Sequence, residues 1–202
     1  MFIQVIQGKV KDEAGLQRCM EQWERDLAPG ATGYLGTTSG TCDDGTFIAL
    51  ARFESLDAAM RNSERPEQSA WWAQTAACFD GDVSFIDCPD ARPWLGGGSD
   101  DAGFVQIMEG RSPDVRRMHE IMEEAGEQIH QMRPEIIGAT MAEAADGRFV
   151  DAIYFTSEAE ARERETMDMP EDMRAAFEEE TRLMGEVTYF DLHHPMLVSA
   201  HR

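Results

Sequence analysis

Four side chains suited to holding a reacting molecule fall close together in the first half of the sequence. They are Arg52, Asn62, Trp71 and Trp72, with Arg65 and Gln68 between them. An arginine cation or an asparagine amide can stabilise negative charge that develops in a reaction. The stretch from Arg65 to Gln68 is equally typical of a surface turn with solvated charges, and two adjacent tryptophans on a helix face different ways. On this second interpretation Trp72 belongs to the core and Trp71 to the rim or an interface.

One glutamine occupies the same place in a strand-like run of each half of the sequence. Gln4 and Gln106 are flanked by apolar residues. A buried amide needs hydrogen-bond partners, each worth about 1 kcal/mol or more. Each glutamine is therefore either paired for structural reasons or faces a polar cavity, where it would bind substrate.

Three tryptophans of the first half are matched by alanines in the second. In the repeat described below, the pairs are Trp23 and Ala125, Trp71 and Ala175, and Trp72 and Ala176. Protein interiors pack near crystal density, so either neighbouring side chains fill the space or the second half contains a cavity. Ten of the thirteen methionines, Met122 among them, follow residue 100. Methionine both fills irregular cores and lines apolar pockets, so both alternatives stay open.

The other reactive side chains give little support to further chemistries. His119 is expected at the polar margin of a helix, and the run from Glu178 to Glu180 on a solvated helix face. No GxSxG, GxGxxG or P-loop motif occurs, which disfavours acyl transfer, dinucleotide binding and phosphoryl transfer. The four cysteines form no CxxC pair and predict free thiols. Neither a metal site nor a cofactor is predicted.

Composition limits the classes of partner. The 202 residues include 39 acidic and 18 basic side chains, for a net charge of −21, and 42% of them are apolar. This acidity disfavours nucleic acids and anionic membrane surfaces as partners. No run is long enough to cross a bilayer, and the first residues lack the features of a signal peptide. We therefore expect a soluble, cytoplasmic protein. If the second half contains an apolar pocket, the expected partner is a small apolar or aromatic molecule.

The sequence contains one module twice. An offset of 102 pairs Phe2 with Phe104, Gly45 with Gly147 and Phe53 with Phe155; after a two-residue insertion an offset of 104 pairs Asp87 with Asp191. Self-similarity at a fixed period indicates a repeated structural unit. We predict a first module at residues 1–90, a glycine-rich linker at 91–102, a second module at 103–193 and a C-terminal tail at 194–202.

Hydrophobic patterns predict the order βαββαβ in each module. In the first copy the strands are predicted at 2–8, 34–38, 46–53 and 83–87, and the helices at 12–29 and 55–80 with a break at Pro66. Asp12 is typical of a helix N-cap and Asp44-Gly45 of a hairpin turn. The predicted fold class is α+β, with two ferredoxin-like modules, each an antiparallel four-stranded sheet with both helices on one face.

Three stretches resemble a known family: the strand FIQVIQG at residues 2–8, the turn and strand DGTFIALARFES at 44–55, and the helix that carries Trp71 and Trp72. They are similar to the dimeric α+β barrel superfamily, in particular its antibiotic biosynthesis monooxygenase (ABM)-like branch, present as a tandem duplication in one chain. The resemblance implies that the two antiparallel sheets pack into a dimeric-α+β-barrel-type pseudo-dimer, which exists as a monomer or a homodimer.

The same resemblance implies a ligand pocket between the sheet and the two helices of each module. Catalytic candidates are then Arg52, Asn62, Trp71 and Trp72. Substrate-binding candidates are Gln4, Gln106, Tyr154, Ala125, Ala176 and Met122.

Three functions stay open on the sequence. The resemblance implies a cofactor-independent monooxygenase acting on a small aromatic or polyketide-like substrate. The loss of polar residues between the copies, with Tyr154 in place of Arg52, favours instead a non-catalytic small-molecule-binding or interaction protein. A haem-binding or haem-degrading protein is the third alternative, but no histidine lies at 55–80 or 157–184 to bind the iron.

Overall fold

The computed structural model describes residues 1–166 and 170–200 of the chain. Within these ranges the elements follow in the order β1 (Phe2–Val10), α1 (Glu13–Gln22), β2 (Tyr34–Thr41), β3 (Thr46–Phe53), α2 (Leu56–Ser63), α3 (Pro66–Ala76), β4 (Phe79–Cys88), β5 (Asp90–Trp94), β6 (Phe104–Arg111), α4 (Val115–Met132), β7 (Ile136–Glu143), β8 (Arg148–Phe155), α5 (Glu158–Glu165), α6 (Glu171–Met184), β9 (Val187–Leu192) and β10 (Met196–Ser199). A π-helical turn, Trp23–Leu27, continues α1. None of the described helices is long and apolar enough to cross a membrane.

The chain divides into two compact units. The first contains Met1–Pro89 together with the chain from Met196, and the second contains Asp90–Pro195. The strand order is β10-β2-β3-β1-β4 in the sheet of the first unit and β5-β7-β8-β6-β9 in that of the second, and all neighbouring strands are antiparallel. The predicted α+β fold with two ferredoxin-like modules is confirmed, and each predicted four-stranded sheet is extended by a fifth strand.

The two central strands have the same register in both sheets. Phe2 lies opposite Phe53 in the first unit, as Phe104 lies opposite Phe155 in the second. The glutamines also correspond, because Gln4 lies opposite Asp87 and Gln106 opposite Asp191. The repeat deduced from the sequence is therefore a repeat of hydrogen-bonded structure.

The fifth strands lie where a linker and a tail were expected. β5 begins at Asp90 and pairs Trp94 with Ala139 on β7, and β10 pairs Val198 with Thr37 on β2. Both are short edge strands, and an edge strand tolerates a proline such as Pro93 because one of its sides makes no ladder hydrogen bonds. The glycines and proline of this stretch concealed β5 in the sequence.

Local signals at the helix ends and turns correspond to the structure. The Asp12 carboxylate accepts a hydrogen bond from the backbone N–H of Gly15 at 2.9 Å, so the predicted N-cap is confirmed. Gly45, at the hairpin turn, has a φ of +80°. The structure ends α3 at Ala76, before the predicted end at residue 80, so Gly81 does not directly follow the helix. It lies within β4, with a φ of +79°, where the pairing of β1 and β4 shifts register.

Alternation along the strands separates two faces of each sheet. On β3, Phe47, Ala49, Ala51 and Phe53 face the helices of their unit and line a cavity there. The intervening residues, which include Ile48, Leu50 and Arg52, lie on the opposite face and are also buried. The position of a residue along a strand therefore decides whether it can reach the cavity.

Candidate functional site

Each unit contains a cavity between its sheet and its helices. The cavity of the first unit, here called the first cavity, has a volume of about 300 Å³ and that of the second unit, the second cavity, about 990 Å³. Strands, both helical regions and the added edge strand contribute to each wall. The two copies of one module thus enclose very different volumes.

Aromatic rings fill much of the first unit around its cavity. The ring centroids of Trp23 and Tyr34 lie 4.7 Å apart, those of Tyr34 and Phe53 5.6 Å, and those of Trp23 and Trp71 6.3 Å. The indole N–H of Trp23 donates to the Gln68 side chain, and that of Trp71 donates to the Cys19 carbonyl oxygen, both at 2.7 Å. These N–H groups stabilise the wall itself.

Three of the four catalytic candidates lie together. Asn62, Trp71 and Trp72 all line the first cavity, and the Arg65 guanidinium donates to the Asn62 side-chain oxygen at 2.9 Å. Trp71 is buried and Trp72 is half-buried, which is the reverse of the expectation that placed Trp72 in the core. Trp72 contacts Phe85 of β4, with the two ring centroids 5.2 Å apart.

The structure does not bring Arg52 to this group. Arg52 lies on the face of β3 away from the first cavity, buried, and donates to the Thr38 hydroxyl at 2.7 Å. Tyr154 has the equivalent position on β8 and is fully buried, whereas its neighbours Ile153 and Phe155 line the second cavity. The alternation of side chains along a strand separates both residues from the cavity faces.

The two glutamines singled out in the sequence are both paired for structural reasons and exposed to a cavity. Gln4 donates to the Asp87 carboxylate at 2.9 Å and Gln106 to the Asp191 carboxylate at 2.8 Å, and each glutamine also lines the cavity of its unit. In the second unit, Arg162 also donates to the Asp191 carboxylate. The second cavity therefore has a fixed polar group on its sheet side.

The second cavity occupies the space that smaller side chains leave open. Three of the substrate-binding candidates, Ala125, Ala176 and Met122, line it. Further methionines line the wall, namely Met108, Met132, Met173 and Met184. The methionine side chains therefore line the second cavity but do not fill it.

The helix faces also correct the alignment of the copies. The residues that line the first cavity from α3 include Gln68, Trp71 and Trp72, and those that line the second from α6 include Met173, Ala176 and Phe177. The faces correspond at an offset of 105, one more than the sequence match suggested. Ala176 thus replaces Trp71 and Phe177 replaces Trp72, whereas Ala175 is exposed.

Trp94 is a cavity residue that the sequence analysis missed, because it lay in the predicted linker. It comes from β5, is 8% exposed and lines the second cavity. A Cβ atom at Gly126 would lie 3.0 Å from the indole nitrogen of Trp94, so the glycine allows α4 to approach the ring. The sequence feature that could have indicated this residue is a tryptophan within a stretch otherwise rich in glycine.

A polar cluster also escaped the sequence analysis. His119, expected at a polar helix margin, is only 1% exposed, and its Nε2 lies 3.1 Å from both carboxylate oxygens of Asp151, which is 1% exposed as well. The Asp151 carboxylate also accepts from the backbone N–H of Ala142 at 3.1 Å. Asp151 was detectable as the one acidic residue in the apolar run of β8.

The third titratable group near this pair is Glu180, on α6. It was expected on a solvated face with Glu178, but residues two apart on a helix point about 200° apart. Glu178 is exposed, whereas Glu180 is half-buried and lines the second cavity. Burial, and then the charge of Asp151, raise the pKa of Glu180 to about 7, and the charge of His119 acts in the opposite direction.

Comparison with known proteins identifies the fold. No protein-family model matches the chain, and no curated protein matches it. A candidate monooxygenase from Lactobacillus acidophilus superposes with a TM-score of 0.76 at 10% identity, over 98% of this chain and 96% of that one. An anthrone oxidase-like protein superposes with a TM-score of 0.65 at 10% identity, over 100% and 94%. The chain thus shares its two-unit α+β fold, over nearly its whole length, with these two proteins.

The same tandem fold occurs in a protein described as a major regulator of staphylococcal pathogenesis. That structure superposes with a TM-score of 0.55 at 7% identity and covers the whole of both chains. Proteins with this tandem α+β fold are therefore described with different functions, so the fold alone does not assign one.

Within the described parts of the chain, no three His, Cys, Asp or Glu side chains are grouped to hold a metal ion. None of the four cysteines, all of which are described, forms a disulfide bond. Burial, followed by the nearby Cys19, raises the pKa of the Cys78 thiol. The titratable groups of the second cavity are thus mainly arginines and carboxylates, and the half-buried Glu180 is one of these carboxylates.

Proposed function

We propose that the protein is a cofactor-independent monooxygenase and that its substrate, a small aromatic or polyketide-like molecule, binds in the second cavity. The observation that carries this proposal is the second cavity itself, about 990 Å³ in volume, with a mainly apolar wall and a few fixed polar groups. Ligand pockets typically have volumes of about 300–1,000 Å³ and this kind of lining. The shared fold with a candidate monooxygenase and an anthrone oxidase-like protein supports the same class of reaction.

The wall offers distinct contacts for such a substrate. Trp94, Phe155 and Phe177 can pack against fused rings, and methionine side chains adapt to their outline. Gln106 is held by Asp191 and can orient a phenolic or carbonyl oxygen. A ring system would thus be held by apolar contacts and oriented by a few hydrogen bonds.

The proposed reaction needs no electrons from a cofactor because the substrate supplies them. An activated methylene group of an anthrone-type ring loses two hydrogens and reacts with one molecule of dioxygen. One oxygen atom becomes the new carbonyl of the product and the other leaves as water. The carbon gives up the four electrons that dioxygen accepts, so the reaction balances.

Oxygen uptake is the direct test. We expect the protein to consume dioxygen with at least one member of a panel of anthrones, phenols and hydroquinones. Ala176→Trp, which fills the second cavity, should reduce the rate at least tenfold, whereas Trp71→Phe in the first cavity should leave it within about twofold. Circular dichroism checks that both variants are folded.

A second candidate function is small-molecule binding or interaction without chemistry, which the difference in polar residues between the two copies favours. This candidate would be supported, and the monooxygenase contradicted, by two results together. The protein binds members of the aromatic panel but consumes no oxygen with any of them, and Ala176→Trp abolishes that binding. Uptake that Ala176→Trp leaves unchanged would contradict the assignment of the second cavity.

A further inference from the structure

We propose that Glu180 is the proton-transfer group of the second cavity and that the buried pair His119–Asp151 acts on it as a positioning unit. This inference rests on the proposed function in that it takes the second cavity as the substrate site. It adds the residue that would move a proton, which neither the sequence patterns nor the comparisons assigned.

The His119–Asp151 pair is enclosed by the protein, with each side chain 1% exposed. The Nε2 atom lies 3.1 Å from each oxygen of Asp151, so an ionised Asp151 requires that this nitrogen carry a proton. The second ring nitrogen, Nδ1, is buried and has no hydrogen-bond partner among the described residues. An unpartnered buried nitrogen is costly unless it exchanges a proton or meets a ligand.

Glu180 is the titratable group of the second cavity wall that the charges of this pair affect. It lies on α6, which packs against α4, the helix that carries His119, and it lines the second cavity. Because its pKa is raised to about 7, both the acid and the carboxylate forms exist near neutral pH. A group with its pKa near the working pH is the most effective general acid or base.

Other charged groups lie on α4, which packs against α6, and in the wall of the second cavity. Arg117 on α4 is engaged by Glu179, its Nε 3.0 Å from the carboxylate. The remaining titratable residues of the second cavity wall are Arg133, Arg162, Arg164, Glu165, Tyr189 and Asp191. Arg162 is held by Asp191, and Arg164 lies 3.2 Å from the Glu135 carboxylate. Arg117, Arg162 and Arg164 are thus each paired with a carboxylate other than that of Glu180.

The first unit provides an internal comparison, because the same positions there hold no titratable group. The counterparts of His119, Asp151 and Glu180 are Gln17, Ala49 and Thr75, and all three line the first cavity. The Thr75 hydroxyl donates to the Trp71 carbonyl oxygen at 3.0 Å, which is a structural role. The second unit alone therefore has an acid–base group at this place.

The proposed step is a single proton transfer. The acidic C–H bond of an anthrone-type methylene breaks, its electron pair enters the enolate, and the proton forms an O–H bond with the Glu180 carboxylate. The electron-rich enolate is then the species that reacts with dioxygen. The proton leaves Glu180 for water, or returns to the same carbon when dioxygen is absent.

That return allows a test without oxygen. Under nitrogen in D₂O, we expect the protein to accelerate the exchange of the anthrone methylene hydrogens for deuterium. Proton NMR monitors this exchange. Glu180→Gln should slow the exchange at least a hundredfold, in the range of about 10²–10⁴ typical of a lost general base. Glu178→Gln, which removes the same charge from the exposed face of α6, should leave it unchanged.

The pH profile tests the role of the buried pair. The exchange rate of the wild-type protein should rise through about pH 7 to a plateau, as the Glu180 carboxylate forms. Asp151→Asn removes a charge that raises the Glu180 pKa, so the midpoint should move down. His119→Gln removes the opposing charge and should move it up. Unmoved midpoints in folded variants would contradict the positioning role.

The outcomes separate this inference from the proposed function. Exchange that depends on Glu180 without oxygen uptake would support the proton-transfer role and contradict the monooxygenase. Oxygen uptake and exchange that both survive Glu180→Gln would overturn the inference and leave the monooxygenase standing. No acceleration of exchange by the wild-type protein would overturn the inference as well.

Discussion

Carboxylates of this chain differ widely in ionisation according to their surroundings. Asp44, at the hairpin turn, has its pKa lowered to about 2, first by the hydrogen bond from Lys9 and then by that from the Thr46 backbone. Asp146, at the same turn of the second copy, also has a pKa of about 2, mainly because of Arg148. Glu180, in contrast, has a raised pKa. The repeat therefore preserves a turn carboxylate and adds an acid–base group elsewhere.

Asp44→Ala tests the turn. It removes the 2.9 Å hydrogen bond to the Thr46 N–H and the 2.7 Å ion pair with Lys9, and it should cost about 1 kcal/mol of unfolding free energy at pH 7. Since the folded-state pKa is depressed, this stability is present above the unfolded value of 3.8 and is lost as pH falls toward 2.

Urea unfolding at pH 7 and pH 3 measures this dependence. The difference between wild type and Asp44→Ala should shrink at the lower pH. Asp44→Asn keeps the acceptor for the Thr46 N–H but not the charge, so it should show a smaller loss. A difference that grows on acidification would contradict the assignment.

At the residue scale, the sequence predicted the cavity-lining side chains better than the charged ones. Gln4, Gln106 and Ala176 were identified because they interrupt or vary a repeated pattern. His119 and Asp151 are separated by 32 positions, and only tertiary packing joins them. A pairing between distant elements carries no local signal, so the buried cluster could not be predicted.

At the scale of elements, the second helical region distinguishes the two copies. Trp71 of α3 and Ala176 of α6 occupy matching places, and the cavity beside the alanine is the larger. The hydrophobic pattern predicted both helices and the break at Pro66. It missed the one-residue shift of register, because the cavity-facing side chains of the two helices differ and give no sequence match to align.

Trp71→Ala should destabilise the first unit by about 3–5 kcal/mol, because the indole is buried and its N–H bonds to the Cys19 carbonyl. Trp72→Ala is the matched control. Its ring is half-buried, so the loss should be clearly smaller. Denaturant unfolding measures both, and equal losses would show that the two rings do not differ in packing as the structure describes.

At the scale of the whole molecule, strands far apart in the chain complete each sheet. β5 follows the first module but belongs to the sheet of the second unit, and β10 follows the second module but belongs to that of the first. Trp94 and Val198 on these strands line the second and the first cavity, respectively. The repeat predicted two modules, but the short edge strands had no counterpart in its pattern.

Ending the chain after Pro195 therefore removes a strand from the sheet that contains the N-terminal strand. Without β10, the β2 edge loses its pairing partner, and Val198 no longer packs against the core that contains Trp23 and Phe53. We expect faster amide hydrogen exchange along β2 than in the full chain, with a smaller change along β4, the opposite edge. A chain that ends after Ala200 retains β10 and should exchange as the full chain does. Equal acceleration in β2 and β4 would mean that β10 stabilises the sheet as a whole and not its own edge.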